Sequence, residues 1–268
     1  MSHPVVLDAP VLVTVEHGVA ILTLNRPSAG NTINLPLVQA LLQAAIRCDS
    51  DASIRCVVLT GAGKLFCGGG DLGAIAEYGE NVPAFLSELA GSLHMVVSRL
   101  MRMRKPLVVL VNGPAAGAGL SLALIGDVVI AGQAANFTAA YGRVGLSADG
   151  GLSWLLPRLI GMRKAQDMII ANRRVDAAEA EAIGLVTRVV GDDLLAEEGA
   201  KQAAVLAAGA TAAIGAARAL LLASYEGSLE GQLELETRSL SALGGTPDFR
   251  EGAAAFFARR KPDFKGVS

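Results

Sequence analysis

The longest uncharged stretch of the chain, Pro106 to Gly126, is the strongest single constraint on its fold. It is long and apolar enough to cross a bilayer, which takes about 20 residues in a helix. Asn112-Gly113-Pro114 interrupts it, however, and Gly117 and Gly119 follow closely. Such breakers are incompatible with one lipid-exposed helix, whose backbone has no other hydrogen-bond partner. The stretch therefore reads as a buried strand, Pro106 to Val111, then a glycine-rich turn and the start of a helix.

Composition agrees with a soluble core. Of 268 residues, 52% are apolar, 18% charged and 4% aromatic, so small and branched side chains must fill the interior. The mean hydropathy is +0.46. A chain of this length forms one large domain or one domain with an appendage, and buries roughly three-quarters of its unfolded surface without covalent staples. The net charge of −2, with 23 basic residues scattered along the chain, argues against a nucleic-acid groove or a polybasic membrane surface. Met1 to Val15 carries His3, Asp8 and two prolines and lacks the pattern of a secretory signal. Cys48, Cys56 and Cys67 follow no metal or disulfide spacing, and the three histidines do not join them, so reduced thiols, a cytoplasmic location and no metal site are expected.

Strands and helices alternate. Val11 to Val15 and Val19 to Leu24 flank the turn Glu16-His17-Gly18 as a hairpin. Leu35 to Ile46 has helical spacing and leads into the strand Cys56 to Thr60; Phe85 to Met103 reads as a helix before the strand at Pro106, and Asp127 to Ala131 as one further strand. This is an α/β pattern with largely parallel or mixed sheets. From about Asp176 the chain becomes rich in Ala and Leu, with helices expected at Leu194 to Ala208, Thr211 to Ala223 and Leu229 to Leu243. Several of these lack charge on more than one face, which points to burial against another subunit or against the chain's own core.

Two glycine-rich segments each follow a strand directly: Gly61 to Leu72 and Asn112 to Ser121. Glycine lets a backbone amide approach a ligand, and amides in the first turn of a helix have no intrahelical acceptor. Two such turns can supply the two N–H donors of an oxyanion hole. Either can also be only a tight turn with close packing. A dinucleotide site fits the second segment poorly, because its spacing is not G-x-G-x-x-G and Ala131 to Ala140 holds no acidic residue for a ribose.

In order along the chain stand Leu24-Asn25-Arg26-Pro27, Phe66-Cys67-Gly68-Gly69-Gly70-Asp71-Leu72, Asn112-Gly113 through Gly119, Gly145 to Gly151, Leu156 to Gly161 and Arg259 to Phe264. From near Val11 to Lys265 this series resembles the enoyl-CoA hydratase/isomerase (crotonase) superfamily. The resemblance implies a spiral of ββα units over residues 1–195, a helical oligomerisation region over residues 196–268 that forms a homotrimer or a dimer of trimers, and an acyl-CoA thioester as substrate. No separate cofactor is implied, since coenzyme A is part of the substrate. It also implies that the backbone amides of Gly70 and Ala118 hold the thioester oxygen as an enolate forms, and that Phe66, Gly68, Asp71, Leu72, Gly117 and Tyr141 border the substrate. Arg26, Lys64, Lys261 and the adjacent Phe264 would lie along the coenzyme.

The departures from that family carry most of the functional information. Its hydratases use two glutamates, at positions that read Ser121 and Tyr141 here. Neither is a carboxylate base at neutral pH. Asp149 remains, in the turn Gly145 to Gly151, where isomerases of the family place a catalytic aspartate and dehalogenases a nucleophile. An Asp before two glycines and a helix is also a capping signal. The leading expectation is thus an acyl-CoA isomerase with Asp149 as base. The rivals are a hydratase with another base, a CoA-ester-binding member without catalysis, and a nicotinamide-dependent oxidoreductase. Glu77 and Glu80 are reserve carboxylates, Asp71 reads as a turn anchor, and His94 and Trp154 read as structural. The acyl pocket is expected from Ile75 to Phe85 and Met95 to Met103.

Overall fold

The computed structural model describes residues 9–266, so the N-terminal residues read above for a signal lie largely outside it. The strands are β1 (Val11–Glu16), β2 (Val19–Leu24), β3 (Cys56–Gly61), β4 (Leu107–Val111), β5 (Ala115–Ala116), β6 (Val128–Gly132), β7 (Asn136–Thr138), β8 (Val175–Asp176) and β9 (Arg188–Val190). The helices are α1 (Leu35–Ser50), α2 (Leu72–Ala76), α3 (Val82–Arg102), α4 (Ala118–Ala123), α5 (Leu152–Ile160), α6 (Met162–Ile169), α7 (Ala177–Ala182), α8 (Leu195–Ala207), α9 (Thr211–Ala223), α10 (Leu229–Gly244) and α11 (Pro247–Phe257).

The main sheet runs β1-β2-β3-β4-β6-β9. The β1–β2 hairpin is antiparallel, and every later pairing in this sheet is parallel. A second sheet, β5-β7-β8, stands beside it and carries the chain past the second glycine turn. The alternation of side chains along a strand explains why β4 is apolar throughout. Val57, Leu59, Leu107, Val109 and Val111 face the large core shared with α1 and α3. Cys56, Val58, Val108, Leu110 and Ile130 face the other way, against Leu195, Ala203 and Ala207 of α8. The first helix of the Ala-rich region is therefore packed on the sheet.

Helix α9 is tied to this core by a buried cation. Arg218 of α9 donates to the Asp127 carboxylate and to the backbone carbonyls of Leu100, Met103 and Lys105. Farther out, α10 and α11 present Leu229, Leu233, Leu240, Phe256 and Phe257 to the surface. Helix α11 has ordinary start signals, with Thr246 accepting from the Phe249 amide and Pro247 in the first turn. Among the described residues no single helix is long and apolar enough to cross a membrane. All three cysteines are free and buried, and burial pushes the Cys48 thiol up to about 11 and those of Cys56 and Cys67 up to about 12.

Candidate active site

The two glycine turns meet. The Cys67 amide donates to the Pro114 carbonyl at 3.3 Å, and the Ala116 amide donates to the Cys67 carbonyl at 3.0 Å, which stitches the two segments side by side. The approach is closest at Gly69, which has φ +95°; a Cβ there would lie 2.8 Å from the Ala116 carbonyl oxygen. Only glycine satisfies both the conformation and the contact. This packing brings the next residue, Gly70, opposite Ala118, the first residue of α4. Neither the Gly70 nor the Ala118 amide is among the backbone donors that hold these turns. Both border one cavity of about 270 Å³, together with Gly68, Leu72 and Gly117. Two free amide donors at the wall of one largely apolar cavity are the arrangement that an oxyanion hole requires.

Asp149 and Tyr141 border the same cavity. The Tyr141 hydroxyl donates to Asp149 Oδ1 at 2.5 Å. Ser121 Oγ donates to the Asp149 carbonyl at 2.9 Å and lies 3.4 Å from the Tyr141 hydroxyl. The two positions where hydratases of the resembled family hold glutamates thus carry hydroxyls that fasten a third residue, Asp149. Burial first, and then the adjacent Asp149 charge and hydrogen bond, raise the Tyr141 phenol above the usual tyrosine range, so it stays a donor. Backbone strain supports its aim: Ala140 adopts φ +63°, and its amide donates to Asn172 Oδ1 at 2.8 Å.

The capping reading of Asp149 does not hold. The residue at the start of α5 is Gly151, without a side-chain cap, and the Asp149 carboxylate turns into the cavity instead. Asp71 behaves as a turn anchor: it caps α2 by accepting from the Ala74 amide and pairs with Arg26 at 2.9 Å. Arg26 is further engaged with the Thr32 carbonyl. Phe66 is fully buried beneath the first turn. Lys64 is exposed on the outer side of that turn. Phe264 lies against Gly252 of α11, and Lys261 is exposed on the same terminal segment. None of Arg26, Lys64, Phe66, Asp71, Lys261 and Phe264 borders the cavity.

Glu77 and Glu80 are exposed and lie off the cavity wall. His94 also lies outside it, and Trp154 packs edge-on against Tyr225 with Arg158 over its ring. The acyl wall differs in part from the expected segments. Ile75 contributes, but the face of α3 that lines the cavity is Leu86, Leu89, Ala90 and Leu93, while Met95 points to solvent. Those four positions repeat at the i, i+3, i+4, i+7 spacing of one helical stripe, a signal present in the sequence. Met101 and Met103 border other cavities of the molecule.

Residues 14–267 match the family described as enoyl-CoA hydratase/isomerase. The chain is similar to the 1,2-epoxyphenylacetyl-CoA isomerase of Escherichia coli K12, with 37% identity over 96% of this chain and 98% of that one. It is also similar to the 2,3-dehydroadipyl-CoA hydratase of the same organism, with 35% identity over 96% and 98%. Among solved structures, an enoyl-CoA hydratase from Polaromonas sp. JS666 superposes with a TM-score of 0.91 at 31% identity, covering 95% of this chain and 99% of that one.

Proposed function

Because the chain belongs to the enoyl-CoA hydratase/isomerase family, we propose that it is an acyl-CoA isomerase that uses Asp149 as its proton carrier. The observation that carries this reading is the Asp149 carboxylate on the same cavity wall as the Gly70 and Ala118 amides. The thioester oxygen sits on the two amides. Asp149 removes a proton from the carbon next to the carbonyl, the enolate charge is held by the amides, and the proton returns at the γ carbon. Tyr141 holds the carboxylate through Oδ1, and Oδ2 is the oxygen that takes the proton. One carboxylate serves both transfers, because the proton leaves and returns within a single enolate.

The similarity to a relative named as an isomerase supports this choice, and the similarity to relatives named as hydratases supports a second reading, a hydratase with a non-standard base. Purified protein separates the two. Formation of a conjugated 2-enoyl thioester from a 3-enoyl-CoA supports the isomerase. Release of 3-hydroxyacyl-CoA from a 2-enoyl-CoA at a comparable kcat/KM refutes it in favour of the hydratase.

Coenzyme A carries a 3′-phosphate and a pyrophosphate, and Lys64 and Lys261 are the exposed cations assigned to them. Arg26 serves the first turn through Asp71 rather than a phosphate. The apolar outer faces of α10 and α11 are read as subunit contacts of a homotrimer or a dimer of trimers. The reaction is assigned to the cytoplasm and needs no cofactor beyond the coenzyme of its substrate.

A further inference from the structure

A second cavity, of about 690 Å³, lies on the other side of the turn that carries Asp149. The turn is the shared wall. Asp149 faces the first cavity, whereas Gly150 and Gly151 face the second. At this wall stands His94, on the solvent-facing side of α3, with its Nε2 accepting a hydrogen bond from the Gly150 amide at 3.2 Å. A backbone amide can only donate. Nε2 therefore carries the lone pair, the ring proton is on Nδ1, and the contact exists only while the imidazole is neutral.

Gly150 is buried and holds φ +60°, and a Cβ on it would lie 2.8 Å from that of Ser121. The turn is thus pinned from two sides. Ser121 fixes the Asp149 carbonyl, and His94 fixes the amide of the very next residue. We propose that His94 is a positioning residue for Asp149, holding the turn when neutral and releasing it when protonated. The assignment rests on the reading of Asp149 as the base.

The charged groups around His94 do not replace this contact. On α3 itself are Arg99 and Arg102, and from α1 comes Asp49, which pairs with Arg99 at 2.8 Å. Arg218 of α9 is committed to Asp127, and Glu226, beyond the end of α9, lines the same cavity. Helix α5 contributes Trp154, which does not titrate. Asp149 lies beyond the turn, with its carboxylate on Tyr141. Protonated His94 would present an N–H to the Gly150 N–H, so the bond is lost whenever the ring is protonated.

The test is a pH series from 5 to 8 on wild type, His94→Gln and His94→Leu, using two readouts. The first is the amide resonance of Gly150 in the full-length protein labelled with 15N-glycine. The second is kcat for a 3-enoyl-CoA. The expected result is a Gly150 resonance that titrates in wild type and not in His94→Gln, whose side-chain oxygen still accepts. Wild-type kcat falls about three- to tenfold at the acid end, the factor of one neutral hydrogen bond. His94→Gln keeps a flat profile, and His94→Leu is low across the range with KM unchanged. A Gly150 resonance indifferent to pH, or identical pH–kcat profiles in wild type and His94→Gln, overturns the proposal. A wild type without turnover at any pH refutes the isomerase reading, while the Gly150 resonance still decides whether His94 holds the turn.

Discussion

Tyr141→Phe isolates one atom of the site. The ring is retained and the packing with it, so the fold is unaffected, but Asp149 loses the donor that sits 2.5 Å from Oδ1. A hydrogen bond to a charged group is worth about 1.5–3 kcal/mol. Most of that loss falls on the step in which the carboxylate must be aligned with the substrate C–H, because no other side chain among the described residues is bonded to it. The expected fall in kcat is roughly 10- to 100-fold, with KM changed by less than about twofold, since the phenol is directed at Asp149 and not at the coenzyme. Stopped-flow or steady-state absorbance of the conjugated thioester measures both constants, and a thermal melt checks that the variant is folded. A kcat within about twofold of wild type in a normally folded variant would refute the idea that Tyr141 positions the base.

Other consequences follow from the same geometry. Gly150→Ala meets both a left-handed backbone and the Ser121 side chain at 2.8 Å, so it should lower stability by about 1–3 kcal/mol and depress kcat with it, as denaturant unfolding and initial rates would show. Arg218→Ala leaves Asp127 without its partner and frees the carbonyls of Met103 and Lys105; a loss of about 3–5 kcal/mol in urea unfolding is expected, with kcat of the folded fraction preserved. Tyr141 binds its proton more tightly in the native state than in the unfolded chain. Its contribution to stability should therefore be complete below about pH 10 and be lost above it, so that the alkaline decline, to which the three raised thiols also contribute, is shallower in Tyr141→Phe by up to one proton's slope. The three thiols are buried and raised, so a disulfide reagent at pH 7.5 should label the native protein far more slowly than the unfolded one.

The sequence pattern made the parts of the site that rest on backbone conformation legible. Breakers after β3 and β4 identified both glycine turns, and the two are paired by one short β-bridge, Cys67 with Ala115, through the Cys67 and Ala116 amides. Asp149, the proposed base, was already a candidate from the family resemblance, because Ser121 and Tyr141 stand where its hydratases hold glutamates. What those two residues do was not, because a side chain's partner across 8 or 28 positions depends on the tertiary path of the turn. The expected wall segments, Ile75 to Phe85 and Met95 to Met103, were off along α3: the helix lines the cavity with Leu86 to Leu93, between them. Leu86, Leu89 and Leu93 look no different in sequence from core leucines, and only the position of α2 over α3 opens a gap beside them. Arg26 shows the same limit: a cation near a glycine turn suits a phosphate equally well until Asp71 is seen 2.9 Å away.

The central claim is that Asp149 moves the proton, and deuterium exchange measures that directly. A 3-enoyl-CoA is incubated in deuterated buffer with wild type or with Asp149→Asn, which keeps the shape of the side chain and an oxygen for Tyr141. Wild type should shift the double bond and place deuterium at the carbons it protonates. Asp149→Asn should lose both activities by about 100- to 10,000-fold, the usual worth of a positioned general base. Equal double-bond shift and equal isotope incorporation by the two proteins would contradict the assignment.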